Sequence, residues 1–341
     1  MVEFEFELTR GNDTSGSRAA VRQLRSRMVI CGAAISLLAG CATELALTDR
    51  FVERARVAYS GESGLACTNS LLETAEFAVR DDRRHDVPPC RHVRWIDVEG
   101  TVNFRDIGGW TGLRTGRAYR GAEANCHTNP ANFASWQKKS HELFVTARGA
   151  RTLAEELGIR TELDLRNAWE SPTPDVSPVP GAKLVRLSCG SYTNFLGDTA
   201  LAAKILRAFA DERNYPIYFH CFGGADRTGS VAFLVEGLCG VSEPDLSIDF
   251  ELTSFSRIGK RLRRDYDEGA RHPRFASMLA AIKRRPGATL AEKFADYAVN
   301  ACGLTPDEVK AIRRNLRPDC ERSETEVVAR TPCGEEEVTR P

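Results

Sequence analysis

Two residues in the stretch HCFGGADRTG, residues 220–229, have the types and the spacing for covalent chemistry: Cys221 and, six positions on, Arg227. A cysteine attacks as its thiolate, so it needs surroundings that strip its proton. Gly223, Gly224 and the small Ala225 let the backbone curl tightly, so that successive N–H groups point inward as an anion-binding nest. A helix starting directly after the loop adds the partial positive charge of its N-terminus to the same spot. Inside that ring the thiol is held as a thiolate. Arg227 returns to the mouth of the loop, where a guanidinium grips two oxygens of a tetrahedral oxyanion. Thr228 is placed to donate a hydrogen bond to the sulfur, as nucleophile and later as leaving group. His220 is expected to order the loop through hydrogen bonds rather than to move protons.

The flanking pattern supplies the elements that hold such a loop. YPIYFH (215–220) is a short apolar, aromatic run that reads as a buried strand, and TGSVAFLVEGLCG (228–240) reads as the following helix. Upstream, GRAYRG (116–121), IRTELDLR (159–166) and KLVRLS (183–188) are strand candidates. Helices are expected over 146–158, with a glycine stop, and over 199–212. From Glu243 onward the pattern is helical, and the last helix opens on Thr305, Pro306 and Glu308, a capping box with proline at the first turn. Strands alternating with helices predict an α/β fold with a mostly parallel sheet flanked by helices and a helical C-terminal part. In such a sheet ligands bind at the carboxyl ends of the strands, where this loop lies.

HCFGGADRTG resembles the signature loop of cysteine-dependent protein tyrosine phosphatases. More narrowly, NFRDIGG (103–109), ELDLR (162–166) and the D-R-T-G form of the loop are similar to the bacterial tyrosine/dual-specificity phosphatase family, over about residues 95–317. The resemblance implies a cysteine-phosphatase-like fold and a two-step reaction. Cys221 attacks phosphorus in line, Arg227 and the amides of the loop (Phe222, Gly223, Gly224, Ala225, Asp226, Arg227, Thr228) stabilise the charge, and water hydrolyses the phosphocysteine. It implies no cofactor and no metal. A carboxylic acid must protonate the departing oxygen. Asp226 is the first candidate, as the family's D-R-T-G form favours it. Asp164 is the second, at a strand end that should face the crevice with Arg166, and Asp198 is a third. Arg105 and Asp106 are read as mostly structural, with Gly108 and Gly109 in a turn near the site.

Many relatives carry lysine where this chain has Ala225, so a phosphotyrosine-like monoester, on a protein or a small molecule, is the expected substrate. The alternatives are a phosphoinositide or inositol phosphate phosphatase and, in a different class, a non-catalytic module that binds phosphorylated ligands. Thiol-redox chemistry lacks a C-x-x-C partner. The basic run RIGKRLRRDYDEG (257–269) would recruit an anionic substrate or form a solvated helix face.

The 341 residues carry 47 Lys+Arg against 47 Asp+Glu, which gives no reason to expect a nucleic acid partner. Eleven cysteines without a C-x-x-C pair and six scattered histidines argue against a structural metal site. Near the N-terminus, Arg22, Arg25 and Arg27 precede the apolar run 28–38, and LAGC ends at Cys41. The run is too short to span a bilayer but fits a signal-peptide core, and LAGC resembles a lipoprotein lipobox. Residues 1–41 are therefore a candidate lipoprotein-type signal segment, with Cys41 the candidate lipidation site and membrane anchor. The expected location is the cell envelope, with the cytoplasm as the alternative because an oxidising compartment threatens a catalytic thiolate. The remaining divisions are an N-terminal arm or linker over 42–92, a catalytic domain over 93–317 and a disordered tail over 318–341. Residues 122–142 read as a long polar excursion.

Overall fold

In the computed structural model, residues 47–60, 71–73, 91–125, 143–168, 170, 176–190, 195–259, 261–263 and 275–318 are described. The candidate signal segment with Cys41, most of the 122–142 excursion, residues 264–269 of the basic run and the tail beyond Pro318 lie outside them.

The sheet contains β1 (Arg105–Asp106), β2 (Ala118–Gly121), β3 (Thr161–Asp164), β4 (Lys183–Arg186) and β5 (Ile217–His220), in the order β1-β2-β5-β3-β4. Only β1 runs antiparallel to its neighbour, β2. The central strand β5 is buried at all four positions, which is why its sequence shows no polar alternation. Its register aligns the strand ends: His220 pairs with Gly121 of β2 on one side and Asp164 of β3 on the other. The segments that follow all three strands therefore leave the sheet at one level, along one edge.

Eight helices are seen among the described residues: α1 (Leu47–Tyr59), α2 (Ala147–Arg151), α3 (Thr199–Ala210), α4 (Asp226–Leu238), α5 (Glu243–Leu252), α6 (Phe275–Lys283), α7 (Leu290–Asp296) and α8 (Pro306–Leu316). None of the described helices is long and apolar enough to cross a membrane. Helix α4 is buried along its whole length. Around it the main core joins Phe209 of α3, Phe219 of β5, Val231, Phe233 and Val235 of α4, Phe275 of α6 and Ile312 of α8. The expected capping box closes α8, with Thr305 accepting from Glu308 N and the Glu308 side chain accepting from Thr305 N.

Two elements differ from the sequence pattern. Helix α4 starts at Asp226 rather than Thr228, so Asp226 and Arg227 occupy its first turn. The stretch read as an arm contains a docked helix: α1 buries Phe51, Val52, Ala55 and Tyr59 against Ile248 and Leu252 of α5 and against Phe255 and Leu262. The described residues, all of which follow Ala46, belong to one compact unit.

Candidate active site

Residues 221–225 connect β5 to α4, and the direction of each peptide in that connection is set from behind. His220 Nδ1 donates to the carbonyl of Cys221 at 2.9 Å. Glu123 N donates to the carbonyl of Phe222 at 3.0 Å. Asn103 Nδ2 donates to the carbonyls of Gly223 and Gly224, both at 3.1 Å. Arg120 Nη2 donates to Gly224 O at 2.8 Å and to Ala225 O at 3.3 Å. In a trans peptide the N–H points opposite to the carbonyl it shares a plane with. Five carbonyls drawn to the rear therefore turn the N–H groups of Phe222, Gly223, Gly224, Ala225 and Asp226 to the front, around Cys221. Glycine is required at 224. Its φ is +65°, and a Cβ there would lie 2.2 Å from the carbonyl oxygen of Gly121.

The rear supports belong to a buried charge cluster. Arg105 Nε reaches Asp249 Oδ1 at 3.0 Å, and Arg120 Nη1 donates to Asp249 Oδ2. Arg105 Nη1 also donates to Asn103 Oδ1 at 2.6 Å, which fixes the amide so that its NH2 faces the loop. Asn103 itself sits at φ 56°, a left-handed conformation that asparagine tolerates better than most residues. Burial opposes the charge on Asp249, but Arg105 and Arg120 outweigh it and hold its carboxyl below the ordinary range. Burial and the neighbouring Arg120 lower Arg105 to about 10, still charged at neutral pH. Glu236, enclosed in the same cluster, is pushed well above its usual value by burial and by Asp249. Two guanidiniums thus face one ionised carboxylate, and the surplus positive charge lies directly behind a loop that must hold a thiolate and an anion.

At the front, Arg227 is aimed by a residue that the sequence pattern did not single out. Glu170 accepts from Arg227 Nη1 at 2.6 Å and Nη2 at 2.8 Å, and both side chains are buried. Arg227 Nη1 also meets the carbonyl of Leu165 at 3.3 Å. Glu170 lies in the loop after β3, and nothing in its local spacing marks it. His220 is held at both ring nitrogens, with Nε2 2.8 Å from Glu162 Oε1. The carbonyl of Cys221 only accepts, so Nδ1 carries a proton. Thr228 Oγ1 is buried and makes no hydrogen bond within the described residues.

The acid candidates separate clearly. Asp164 accepts from Arg166 N and Nε at Oδ1 and from Arg166 Nη2 at Oδ2, between 2.8 and 2.9 Å, and is fully buried. Burial works against its charge, yet His220 and Arg166 hold its carboxyl down to about 2. Its oxygens are fully enclosed, so none is open to a leaving group. The expectation that Asp164 and Arg166 face the crevice is corrected: Arg166 turns inward to Glu123 and to the Asn125 carbonyl and side chain. Burial raises Glu123 to about 8, with Arg166 opposing. Asp198 caps α3, accepting from Leu201 N at 3.0 Å. Asp226 remains at the mouth of the loop, where Arg261 contacts both of its oxygens. Asp106 accepts from Gly108 N at 2.8 Å and Gly116 N at 2.7 Å, which shapes the turn expected there. The described cysteines other than Cys221 (Cys189, Cys239 and Cys302) are buried.

Comparison with known proteins places this site in context. The model of the tyrosine phosphatase family matches residues 96–318. Among solved structures, the chain is similar to the core catalytic domain of the PP-IP phosphatase SIW14 from S. cerevisiae in complex with citrate. The identity is 19% and the TM-score 0.32, over 46% of this chain and 86% of that one. No curated protein matches the chain.

Proposed function

The chain belongs to the tyrosine phosphatase family and is a cysteine-dependent phosphoric monoester hydrolase; from that premise we propose that it acts on phosphotyrosine or a similar monoester through a phosphocysteine on Cys221. The observation that carries this reading is the set of five loop carbonyls that accept from groups outside the loop, which turns the amides sharing their peptide planes the opposite way. Those donors are in place before substrate arrives, so they stabilise the spread charge of the transferring phosphoryl group without reorganising. Glu170 occupies the end of the Arg227 guanidinium, so the edge formed by Nε and Nη2 is the one that meets two phosphoryl oxygens.

In the first step the Cys221 sulfur forms a bond to phosphorus and the ester P–O bond breaks. Asp226 gives its proton to the departing oxygen. In the second step water attacks phosphorus, the S–P bond breaks, and Asp226 takes a proton from the water. Thr228 Oγ donates to the sulfur as it leaves. A neutral Ala225 in the loop favours a monoester without further phosphates over a polyphosphorylated lipid headgroup.

The deciding experiment is hydrolysis of p-nitrophenyl phosphate under reducing conditions. Cys221→Ser is expected to abolish turnover, and Asp226→Asn to slow alkyl phosphates far more than aryl phosphates. Retained activity in Cys221→Ser would sink the mechanism, and preferred turnover of inositol phosphates over phosphotyrosine peptides would sink the substrate class. We further propose export with lipidation at Cys41, supported by the basic, apolar and LAGC order of the N-terminus. Cys41→Ser should then release the protein from the membrane fraction, and an unchanged distribution would refute the anchor.

A further inference from the structure

The segment after α5 brings to the mouth of the loop a contact that the chemistry above leaves unused. Arg261 Nε lies 2.7 Å from Asp226 Oδ1, and Arg261 Nη2 lies 2.8 Å from Oδ2. The pair sits at the opening, with side chains 23% and 10% exposed.

Arg261 is delivered there by a fixed backbone. Ser254 Oγ accepts from Arg261 N at 2.7 Å and donates to Arg261 O at 2.8 Å. Two residues on, Arg263 N donates to Glu251 Oε1 at 2.9 Å, and its guanidinium lies 3.8 Å over the ring of Tyr59. Tyr59 donates in turn to Glu251 Oε2 at 2.9 Å. Leu262 is buried in the apolar cluster that α1 forms with α5. The two residues that follow Arg261 are thus strapped to two helices, and one of them, α1, precedes the region matched by the family.

We propose that Arg261 is the positioning residue of Asp226: it aims the carboxyl over the mouth of the loop and sets the pH range in which that group carries the proton taken by the leaving group. The inference rests on Asp226 being the general acid, as read above. When the S–P bond forms and the P–O bond breaks, the Asp226 proton goes to the departing oxygen, and the carboxylate left behind is the form that two guanidinium contacts favour. Arg261 thereby strengthens the donor and lowers the pH above which it is empty. Among the described residues, the other charged and titratable groups near this end of the loop are Arg227 and Cys221 of the loop, Glu170 against Arg227, and Arg120, which donates to Ala225 O and pairs with Asp249.

The test is the pH dependence of kcat/KM for wild type, Arg261→Met, Arg261→Lys and Asp226→Asn, on an alkyl phosphate and on p-nitrophenyl phosphate. With the alkyl substrate, Arg261→Met should move the basic limb up by about one pH unit or more. At pH values below both limbs it should lower the alkyl-to-aryl rate ratio by about tenfold, and Arg261→Lys should recover part of each change. If Asp226→Asn loses the alkyl rate while Arg261→Met leaves both limb and ratio at wild-type values, the positioning role is overturned and the acid assignment stands. If Asp226→Asn leaves the alkyl rate intact, the acid assignment falls and Arg261's role falls with it. Cys221→Ser on the aryl substrate is a separate readout: loss of turnover there supports the phosphocysteine whichever way the acid assignment falls.

Discussion

Asp249 and Asp226 each hold guanidinium groups, but on opposite sides of the same loop. Asp249 lies behind it, 2% exposed, between Arg105 and Arg120, which are fully buried. Asp226 lies at the front, with a partly exposed arginine on a strap. A buried ion pair repays its desolvation only while every partner stays in place, whereas a pair that solvent reaches from one side loses less when it separates. The rear is therefore a scaffold that fixes peptide directions, and the front is the part that can change state during a turnover.

The contrast is open to direct attack. Asp249→Asn should have the largest effect, removing about 3–5 kcal/mol of stability by leaving two buried guanidiniums without their carboxylate. Asp226→Asn should cost about 1 kcal/mol or less by the same urea titration. Comparable losses from the two variants would erase the distinction between rear and front. Asp164→Asn should come next, at about 1.5–3 kcal/mol for hydrogen bonds to a charged partner. Its folded pKa is depressed to about 2, so the stability it confers is complete above its unfolded value near 4 and is lost as pH falls towards 2. The gap between wild type and variant should accordingly close over that acid window. A gap that persists at pH 2, or an altered alkyl-to-aryl ratio at pH 7, would return Asp164 to the chemistry. A more modest effect on stability than that of Asp164→Asn, about 1–2 kcal/mol, is expected from Asn103→Gly, which keeps the left-handed backbone and removes only the amide. Its signature should be in catalysis, as a fall in kcat/KM of about tenfold or more once the carbonyl of Gly223 loses this donor and that of Gly224 keeps only Arg120. A fully active Asn103→Gly enzyme would mean that the loop holds its shape unaided.

The front of the loop was legible in the sequence because its signals are local. A buried apolar strand, two glycines, a cysteine and an arginine six apart, and a helix all fall between residues 215 and 240. The capping box at Thr305 was readable for the same reason. The rear was not, because its pairs join residues that are neighbours only in the fold: Arg105 with Asp249 across 144 positions, and Arg120 with Gly224 across 104. NFRDIGG stood out by resemblance, but its work could be assigned only once Asn103 was seen against Gly223 and Gly224. Glu170 was hidden in the same way, since no periodicity links a loop carboxylate to an arginine 57 residues later. Asp164 misled because strand geometry predicts the level of a residue at the sheet edge, while its partner Arg166 decides whether it faces water or the interior.

Helix α1 has a practical bearing on how the enzyme is handled. A fragment trimmed to residues 96–318 would lack Phe51, Val52, Ala55 and Tyr59, and would present Ile248, Leu252, Phe255 and Leu262 to solvent. Contiguous apolar surface of that kind drives self-association. A soluble catalytic fragment should accordingly begin upstream of Leu47, and the helix before the matched region serves the enzyme as a built-in cover against aggregation.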